Sequence, residues 1–268
     1  MSDFPVKNAI EAAKRTVERI GLGKVEPLVL SVSEHVVLRL SPAPVVARVG
    51  REASAAEAMG RELAVVRHLA DRGAPVLPPL PGLDAGPFVE GDLVVTLWLF
   101  VPHAPADPEN PQHRTLAEKA LAQVHRAFAD YPDWLPAFEE KVTFGRALLE
   151  LAPPALAAED RRFLLAVHDE IVVSSEERAP IHGDAGFHNI LLTGKGPLWT
   201  DFEAACRGPK AWDYAALGAE DIPMMSAIRS FCVSAWCWAQ ADLPGKREAA
   251  EHHLNVLKGL FRWRLTSS

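Results

Sequence analysis

The chain has 268 residues, of which 49% are hydrophobic and 24% charged, a balance typical of a globular protein with a large buried core. Its formal net charge of −7, with no cluster of Lys and Arg, argues against a nucleic acid partner and is compatible with a cationic small substrate. No apolar run approaches the roughly eighteen residues of a membrane span, and the chain begins with neither a signal peptide nor a myristoylation site, so we expect a cytoplasmic protein without a membrane partner.

The first part of the chain shows both helical and strand patterns. Apolar residues at helical spacing predict two helices, at 6–20 and 53–72. Runs rich in β-branched and other apolar residues predict four strands, at 28–32, 36–40, 45–49 and 93–101. A stretch rich in Pro and Gly, at 75–87, is expected to be a loop.

After Pro102 the chain becomes mostly helical. Helical periodicity is found at 116–129, 144–151 and 159–173, and again from 211 to the end. The one predicted interruption is a hairpin, in which strands at 190–192 and 198–200 flank a turn at 193–196. A strand-rich first third followed by a helix-rich remainder predicts an α+β protein.

Three polar residues around this hairpin have the spacing that phosphoryl transfer requires. Asp184 and Asn189 are five residues apart, and Asp201 follows twelve residues later. The hairpin is expected to fold Asp201 back beside Asn189. Transfer of a phosphoryl group to a hydroxyl needs a carboxylate that accepts and orients the hydroxyl, and two oxygen ligands that hold Mg2+ against the phosphates. Asp184 is therefore the candidate catalytic base, and Asn189 and Asp201 are the candidate metal ligands.

The segments 182–191 and 199–203 resemble the aminoglycoside phosphotransferase and choline kinase family. The family pattern is HGDxHxxN, followed by a hydrophobic-Asp-Phe-Glu segment. Gly186 stands where the family usually has its second His, and His188 stands where a small residue normally precedes the Asn. Both departures concern the conformation of the loop more than its chemistry.

The resemblance continues at residues 208–215, which are similar to the family's G-x-P-x-x-D-L-A segment. There Asp213 is expected to brace the catalytic loop. The resemblance implies a two-lobed protein-kinase-like fold, with a small antiparallel-sheet N-terminal lobe and a mostly helical C-terminal lobe. A nucleotide-binding lobe is expected at 1–101, with a hinge near 97–101. A helical lobe that carries the catalytic loop and the acceptor site is expected at 102–268.

Four residues of the first lobe are expected to bind or support the nucleotide. Arg48 lies on the third strand, where kinases of this fold usually carry a phosphate-binding Lys, and its charge is expected to be its main contribution, so that Lys could replace it. Its expected partner is Glu62 on the following helix, with Glu57 as the competing partner. Ser33 lies in a loop without glycine and could donate to phosphates through its hydroxyl. Trp98 is expected either beside the nucleotide base or packed in the core.

The resemblance implies Mg-nucleotide-dependent phosphorylation of a small-molecule hydroxyl, with ATP or GTP as the nucleoside triphosphate. An aminoglycoside-like or other amine-bearing acceptor is expected. Glu203 is expected either to support the metal ligands or to contact the metal. Acceptor recognition is expected from aromatic and acidic residues in the last part of the chain: Trp212, Glu220, Asp221, Trp236, Trp238 and Asp242.

Two other classes of protein remain open. A catalytically weak nucleotide-binding regulatory module would fit the glycine-free loop and Arg48. A metal hydrolase would use His182 and His188, although no further His or Glu stands at the helical spacing of such sites. The three cysteines form no C-x-x-C pair, so we expect reduced thiols and not zinc ligands.

Overall fold

Residues 6–33, 35–171, 178–218 and 223–261 are described by the structure, a computed structural model. They cluster into two units. Unit 1 comprises the described residues of Met1–Tyr131 and Phe187–Ala204, and unit 2 comprises those of Pro132–Gly186 and Ala205–Ser268. The boundary expected at residue 101 remains a prediction, because compactness alone does not define the nucleotide-binding and acceptor-binding parts.

The elements of the described residues are as follows. The strands are β1 (Glu26–Val32), β2 (Val36–Ser41), β3 (Val45–Arg51), β4 (Phe88–Glu90), β5 (Leu93–Leu99), β6 (His103–Pro105), β7 (Ala179–Ile181), β8 (Ile190–Thr193), β9 (Gly196–Trp199) and β10 (Cys206–Gly208). The α-helices are α1 (Val6–Arg19), α2 (Glu52–Asp71), α3 (Pro111–Phe128), α4 (Phe138–Glu150), α5 (Ala158–Glu170), α6 (Lys210–Ala216), α7 (Pro223–Ala239) and α8 (Lys246–Leu260). Short 3-10 helices cover Phe187–Asn189 and Phe202–Ala204.

A five-stranded antiparallel sheet forms the framework of unit 1, in the order β1-β2-β3-β5-β4. The inner strands β2 and β3 alternate between buried and half-buried residues, as expected for strands with one face on a core. Strand β5, which lies between β3 and β4, is buried along nearly its whole length. Helices α1 and α2 pack on this sheet. The strands and helices predicted for this part of the chain are confirmed.

A second sheet of unit 1, in the order β6-β8-β9, contains the predicted hairpin. Its strands pair Ile190 with Trp199 and Thr193 with Gly196. Trp199 also joins the hairpin to the segment after α2, because its N–H donates to the carbonyl of Pro75 at 2.9 Å. The predicted hairpin is therefore confirmed, and its open end is fixed within unit 1.

Helices dominate unit 2, with the short β7–β10 pair at their side. The long apolar helix α7 packs against α4, α6 and α8. Its side chains join a core with large members from each neighbouring element: Phe138, Leu149, Leu164, Trp212, Phe231 and Leu254. This packing explains why α7 shows so few polar residues along its length.

Two helices begin earlier than the apolar periodicity predicted, because polar groups cap them. The Asn110 side chain accepts a hydrogen bond from the N–H of Gln112 at 2.9 Å, and Pro111 occupies the first helical position of α3. At α4, the Glu140 carboxylate accepts from the N–H of Ala137 at 3.0 Å. The end of the helix predicted at 159–173 falls partly outside the described residues, and the described helix ends at Glu170.

The expectation that the hairpin alone interrupts the helical part is wrong. Strands β6, β7 and β10 also occur there, each three residues long. A three-residue strand is too short to show a periodic pattern in the sequence. The cysteines at 206, 232 and 237 are free thiols, as predicted, and burial raises the pKa of Cys206 and Cys232 to about 12. Among the described helices, none has the length and apolar character of a membrane span.

Candidate active site

In unit 2, side chains of helix α6 hold the loop that follows β7. The buried carboxylate of Asp213 accepts hydrogen bonds from the N–H groups of His182, at 2.8 Å, and Gly183, at 2.9 Å. The indole N–H of Trp212 donates to the carbonyl of Gly183 at 2.8 Å. Gly183 has a φ of 82°, in the left-handed region that glycine adopts without steric cost. The predicted bracing role of Asp213 is confirmed by these contacts.

Asp184 follows this braced turn, and its side chain is partly open to solvent. Its N–H donates to Nδ1 of His182 at 3.3 Å, so His182 braces the loop as its position after a buried strand suggests. The carbonyl of Asp184 accepts from the N–H of Gly186 at 2.8 Å. The side chain is 41% exposed, which leaves its carboxylate accessible to an incoming group. A fixed backbone with an accessible carboxylate suits a group that orients a substrate hydroxyl.

Arg229 of α7 lies beside Asp184 and was not found by the sequence analysis. Its Nη2 is 3.6 Å from Oδ1 of Asp184, and its guanidinium lies over the Trp212 ring at 5.8 Å from the centroid. The side chain is mostly buried. Arg229 is the one charged residue of the described helix α7, and a single charge in an apolar helix is a signal that could have found it.

Asn189 and Asp201 occupy opposite sides of the hairpin's open end in unit 1. The carbonyl of Asn189 accepts from the N–H of Thr200 at 3.0 Å, directly before Asp201. Asn189 is buried, whereas the Asp201 side chain is 44% exposed. Asp201 has a φ of 63°, a conformation that non-glycine residues rarely adopt and that often occurs at functional sites. The hairpin thus brings the two predicted metal ligands together.

The predicted pairing of Arg48 with Glu62 is confirmed. Arg48 Nη1 lies 3.0 Å and 2.8 Å from the two carboxylate oxygens of Glu62. Oε1 of Glu62 also accepts from the N–H of Phe202 at 3.0 Å, which ties α2 to the segment after Asp201. The competing partner Glu57 is 83% exposed and lies 3.9 Å from Arg61.

Arg48 also contacts two carboxylates that follow the hairpin. Its Nη2 is 3.0 Å from Oδ1 of Asp201 and 2.5 Å from Oε2 of Glu203. Burial disfavours the charged guanidinium, but Glu62, Asp201 and Glu203 together outweigh this cost and raise the pKa of Arg48. Burial raises the pKa of Glu62, because it disfavours the charged carboxylate, and the charge of Arg48 opposes this shift. The cluster is therefore an ionic site built around one permanently charged cation.

The turn between β1 and β2 contributes His35 to this cluster. Nδ1 of His35 is 3.2 Å from Arg48 Nη2, and Nε2 is 3.5 Å from Oε2 of Glu203. Ser33 of the same turn is exposed, and its N–H donates to the carbonyl of His35 at 2.9 Å. The phosphate contact of Ser33 remains a prediction, and Glu34 lies outside the described residues.

Trp98 and the residues expected at the acceptor site differ in their burial. Trp98 is buried on β5, where its indole N–H donates to the Thr96 hydroxyl at 3.0 Å. The face of Trp236 is covered by Lys246, with Nζ 3.4 Å from the ring centroid. Trp238 is buried, Asp242 is exposed, and Glu220 and Asp221 lie outside the described residues. The binding roles of all these residues remain predictions.

The donor set at the hairpin fits Mg2+. A carboxylate and an amide supply hard oxygen atoms, and Mg2+ in nucleotide sites needs only one or two carboxylates besides phosphates and water. The exposure of Asp201 lets a cation reach it. Among the residues that the structure describes, no group of three or more His, Cys, Asp or Glu side chains is arranged to hold a metal ion, so the hydrolase alternative has no observation in its favour.

An antiparallel sheet in the first part of the chain and a mostly helical second part are the features expected of a protein-kinase-like fold. The model of the phosphotransferase enzyme family matches residues 24–249, and the chain belongs to that family. The family and the enzyme class expected from the sequence, a small-molecule kinase, are thereby confirmed. A comparison with curated proteins finds no similar sequence.

Several solved structures share the fold. A choline/ethanolamine kinase family protein from Mesorhizobium loti has 18% identity and a TM-score of 0.63, with 94% of each chain covered. Amicoumacin kinase hAmiN, in complex with AMP-PNP, Ca2+ and Ami, has 12% identity and a TM-score of 0.69, with 95% of this chain and 96% of that chain covered. A thermostable mutant of aminoglycoside phosphotransferase APH(4)-Ia, in a ternary complex with AMP-PNP and hygromycin B, has 16% identity and a TM-score of 0.64. The match covers 95% of this chain and 99% of that chain. These likenesses confirm the predicted fold class.

Proposed function

We propose that the protein transfers the γ-phosphoryl group of Mg-ATP to a hydroxyl of an amine-bearing small molecule. The observation that carries the proposal is the ionic cluster of unit 1, in which Arg48, held by Glu62, contacts the Asp201 carboxylate at the open end of the hairpin. A phosphate-binding cation and a metal-binding carboxylate in one cluster are what a nucleoside triphosphate with its Mg2+ requires. Two structures with this fold hold AMP-PNP, which favours ATP over GTP.

Each residue has a distinct task in this reaction. Arg48 brings a permanent positive charge close to the phosphate oxygens. Asn189 and Asp201 hold Mg2+, which when bound neutralises negative charge on the phosphates. Asp184 accepts the hydrogen of the acceptor hydroxyl and aims its oxygen at the γ-phosphorus. As the new P–O bond forms, the bond from the γ-phosphorus to the bridging oxygen of ADP breaks, and the proton passes to Asp184.

An amine-bearing acceptor is supported by charge and by the ligands of similar folds. The chain carries a formal net charge of −7, which favours the approach of cations over that of anions. Hygromycin B occupies one of the structures with this fold. The acidic and aromatic residues in the last part of the chain would supply ion pairs and cation–π contacts to such an acceptor.

A screen of hydroxylated small molecules tests this function. Purified protein is incubated with Mg2+, either ATP or GTP, and a panel that contains aminoglycosides, amino alcohols and neutral sugars, and phosphate incorporation is measured. We expect incorporation with ATP into at least one amine-bearing member, at a rate that falls by roughly 10²-fold or more in Asp184→Asn. Nucleotide binding without turnover on any member would instead favour the weakly catalytic regulatory module.

A further inference from the structure

The guanidinium nitrogen Nη2 of Arg48 has more hydrogen-bond acceptors around it than it has hydrogens to donate. Nη2 lies 3.0 Å from Asp201 Oδ1, 2.5 Å from Glu203 Oε2 and 3.2 Å from His35 Nδ1. This nitrogen carries two hydrogens, and those of Nη1 are directed at the two oxygens of Glu62. The three acceptors at Nη2 therefore cannot each receive a full hydrogen bond at the same time.

Asp201 is the acceptor that Arg48 can release most readily. Its side chain is 44% exposed, whereas those of Glu203 and His35 are 28% and 10% exposed. A carboxylate with an open side can turn to a cation without leaving a buried charge unpaired. When Asp201 binds the cation, the two hydrogens of Nη2 match the two remaining acceptors, Glu203 and His35.

His35 precedes β2, and its ring packs against the neighbouring strand β3 at Gly50. An added Cβ at Gly50 of β3 would lie 3.2 Å from Cδ2 of His35 and 2.9 Å from Sδ of Met59, so the glycine leaves room for the imidazole. Burial, together with the charge of Arg48, lowers the pKa of His35 to about 4, so the ring is neutral near pH 7. A neutral ring protonated at Nε2 accepts from Arg48 through Nδ1 and points its N–H at Glu203.

We propose that His35 is a positioning residue for nucleotide binding, which together with Glu203 holds the guanidinium of Arg48 in place when Asp201 turns to the metal. This inference rests on the proposed function, because it assumes that Arg48 binds phosphates. The β1–β2 turn has no glycine to bring its backbone close to phosphates. The side chain of His35 in this turn instead holds the Arg48 guanidinium, and the guanidinium binds the phosphates.

Binding of Mg-AMP-PNP to the full-length protein, measured by calorimetric titration, tests the proposal. His35→Phe keeps a planar ring, although a larger one, and removes both polar contacts, and we expect it to weaken binding about 10-fold. His35→Asn keeps a polar atom near the Nδ1 position, and we expect it to recover most of that loss. His68 is the matched control, since it lies on α2 of unit 1 and hydrogen-bonds the carbonyl of Ala127 at 3.2 Å. His68→Phe should lower Tm and leave the affinity within about 2-fold of wild type.

A double-mutant cycle with Glu203→Leu separates positioning from general damage. Because His35 and Glu203 act on the same guanidinium, we expect the double variant to bind about as weakly as the weaker single variant. Additive losses, or a His35→Phe variant with wild-type affinity, would overturn the proposal. If His35→Phe does not fold, His35→Ala, which also removes both polar contacts, takes its place in the cycle. Wild-type protein that does not bind Mg-AMP-PNP would contradict the proposed function, and the inference with it.

Discussion

Arg48 uses both arms of its guanidinium, and this geometry changes what the sequence suggested about its replacement. One nitrogen contacts both oxygens of Glu62, while the other contacts Asp201 and Glu203. An ammonium group has a single nitrogen and cannot occupy both positions. Shape as well as charge is therefore expected to matter at this residue.

Arg48→Lys is predicted to lose most of the nucleotide affinity instead of preserving it. We expect Kd for Mg-AMP-PNP to rise about 10-fold in Arg48→Lys and further in Arg48→Ala, because a charged partner of three carboxylates is weakened or removed. Titration calorimetry measures this. The expectation from the sequence, that charge is the main contribution of Arg48, would be correct if Arg48→Lys bound as tightly as the wild type.

Arg229 is predicted to support Asp184 and not the nucleotide. With Nη2 3.6 Å from the Asp184 carboxylate, it restrains a side chain that is otherwise open to solvent. Arg229→Gln should lower turnover about 10-fold while binding of Mg-AMP-PNP stays near normal, and Arg229→Lys should recover part of the turnover. Equal losses of turnover and of nucleotide affinity in Arg229→Gln would contradict this assignment.

The sequence identifies candidate site residues where their spacing along the chain is short. Asp184, Asn189 and Asp201 are close in sequence and are arranged by one loop and one hairpin. Arg229 and His35 could not be found in this way, because α7 and the β1–β2 turn reach the site residues only through tertiary packing. A lone charge in an apolar helix was the one available signal for Arg229.

At the scale of elements, the short β7–β10 pair is held by close packing against α4. Gly208 of β10 lies where an added Cβ would be 2.6 Å from Cβ of Phe138 and 3.4 Å from Cδ1 of Ile181. Because 2.6 Å is shorter than any normal contact between two carbon atoms, a methyl group at Gly208 requires a shift of the backbone. Gly259, near the end of α8, has no atom within 4 Å of such a Cβ.

Gly208→Ala and Gly259→Ala are therefore predicted to have opposite effects on stability. Gly208→Ala should lower the free energy of unfolding by about 1–3 kcal/mol through overpacking. Gly259→Ala should raise it by about 0.5–1 kcal/mol, because alanine favours the helix. Chemical denaturation measures both. A neutral Gly208→Ala would show that the β7–β10 pair and α4 are not packed as closely as described.

Elements of regular periodicity were predictable, and those defined by partners were not. The hairpin, the strands β1, β2, β3 and β5, and the helices α1 and α2 follow from local pattern and turn chemistry. Strands of three residues such as β7 and β10 exist because each provides the other with a hydrogen-bonding edge. That pairing is set by residues far apart in the chain, so no local pattern reports it.

For the whole molecule, the buried His35 and the partly buried His253 are predicted to make folding sensitive to acid. Burial, with smaller effects of His252 and Arg229, lowers the pKa of His253 to about 4, and burial with Arg48 does the same for His35. In the unfolded chain both side chains have a pKa of about 6.5. Between these values the unfolded chain binds protons that the native protein does not, so the free energy of unfolding falls as pH is lowered from about 6.5 to about 4.

His253→Gln is predicted to reduce this sensitivity. Gln keeps a polar group that can reach the Ser230 hydroxyl, which lies 3.1 Å from Nδ1 of His253, and it does not titrate. Denaturant unfolding at several pH values should show a shallower loss of stability below about pH 6.5, by at most about 1.4 kcal/mol per pH unit. An unchanged slope would mean that His253 takes up its proton without unfolding.

The fold class of the whole molecule was predictable because the order of strand-rich and helix-rich segments is visible in the sequence. The family was predictable as well, because the residues that carry its motif lie close together in the chain, between 182 and 215. The organisation into units was not predictable in the same way. Residues 187–204 follow a segment of unit 2, yet they belong to unit 1, since β8 and β9 pair with β6 and the segment after the hairpin bonds to Arg48 and Glu62.

The central claim is that Asp184 and Asp201 perform separate tasks in one phosphoryl transfer. Thermal shift with Mg-AMP-PNP, measured beside turnover on an acceptor that the wild type phosphorylates, tests it most directly, since a ligand that binds only the folded state raises its Tm. Asp201→Asn should lose the metal-dependent shift. Asp184→Asn should keep the shift while its turnover falls by roughly 10²- to 10⁴-fold. Full turnover in Asp184→Asn, or an unchanged metal-dependent shift in Asp201→Asn, would contradict the account.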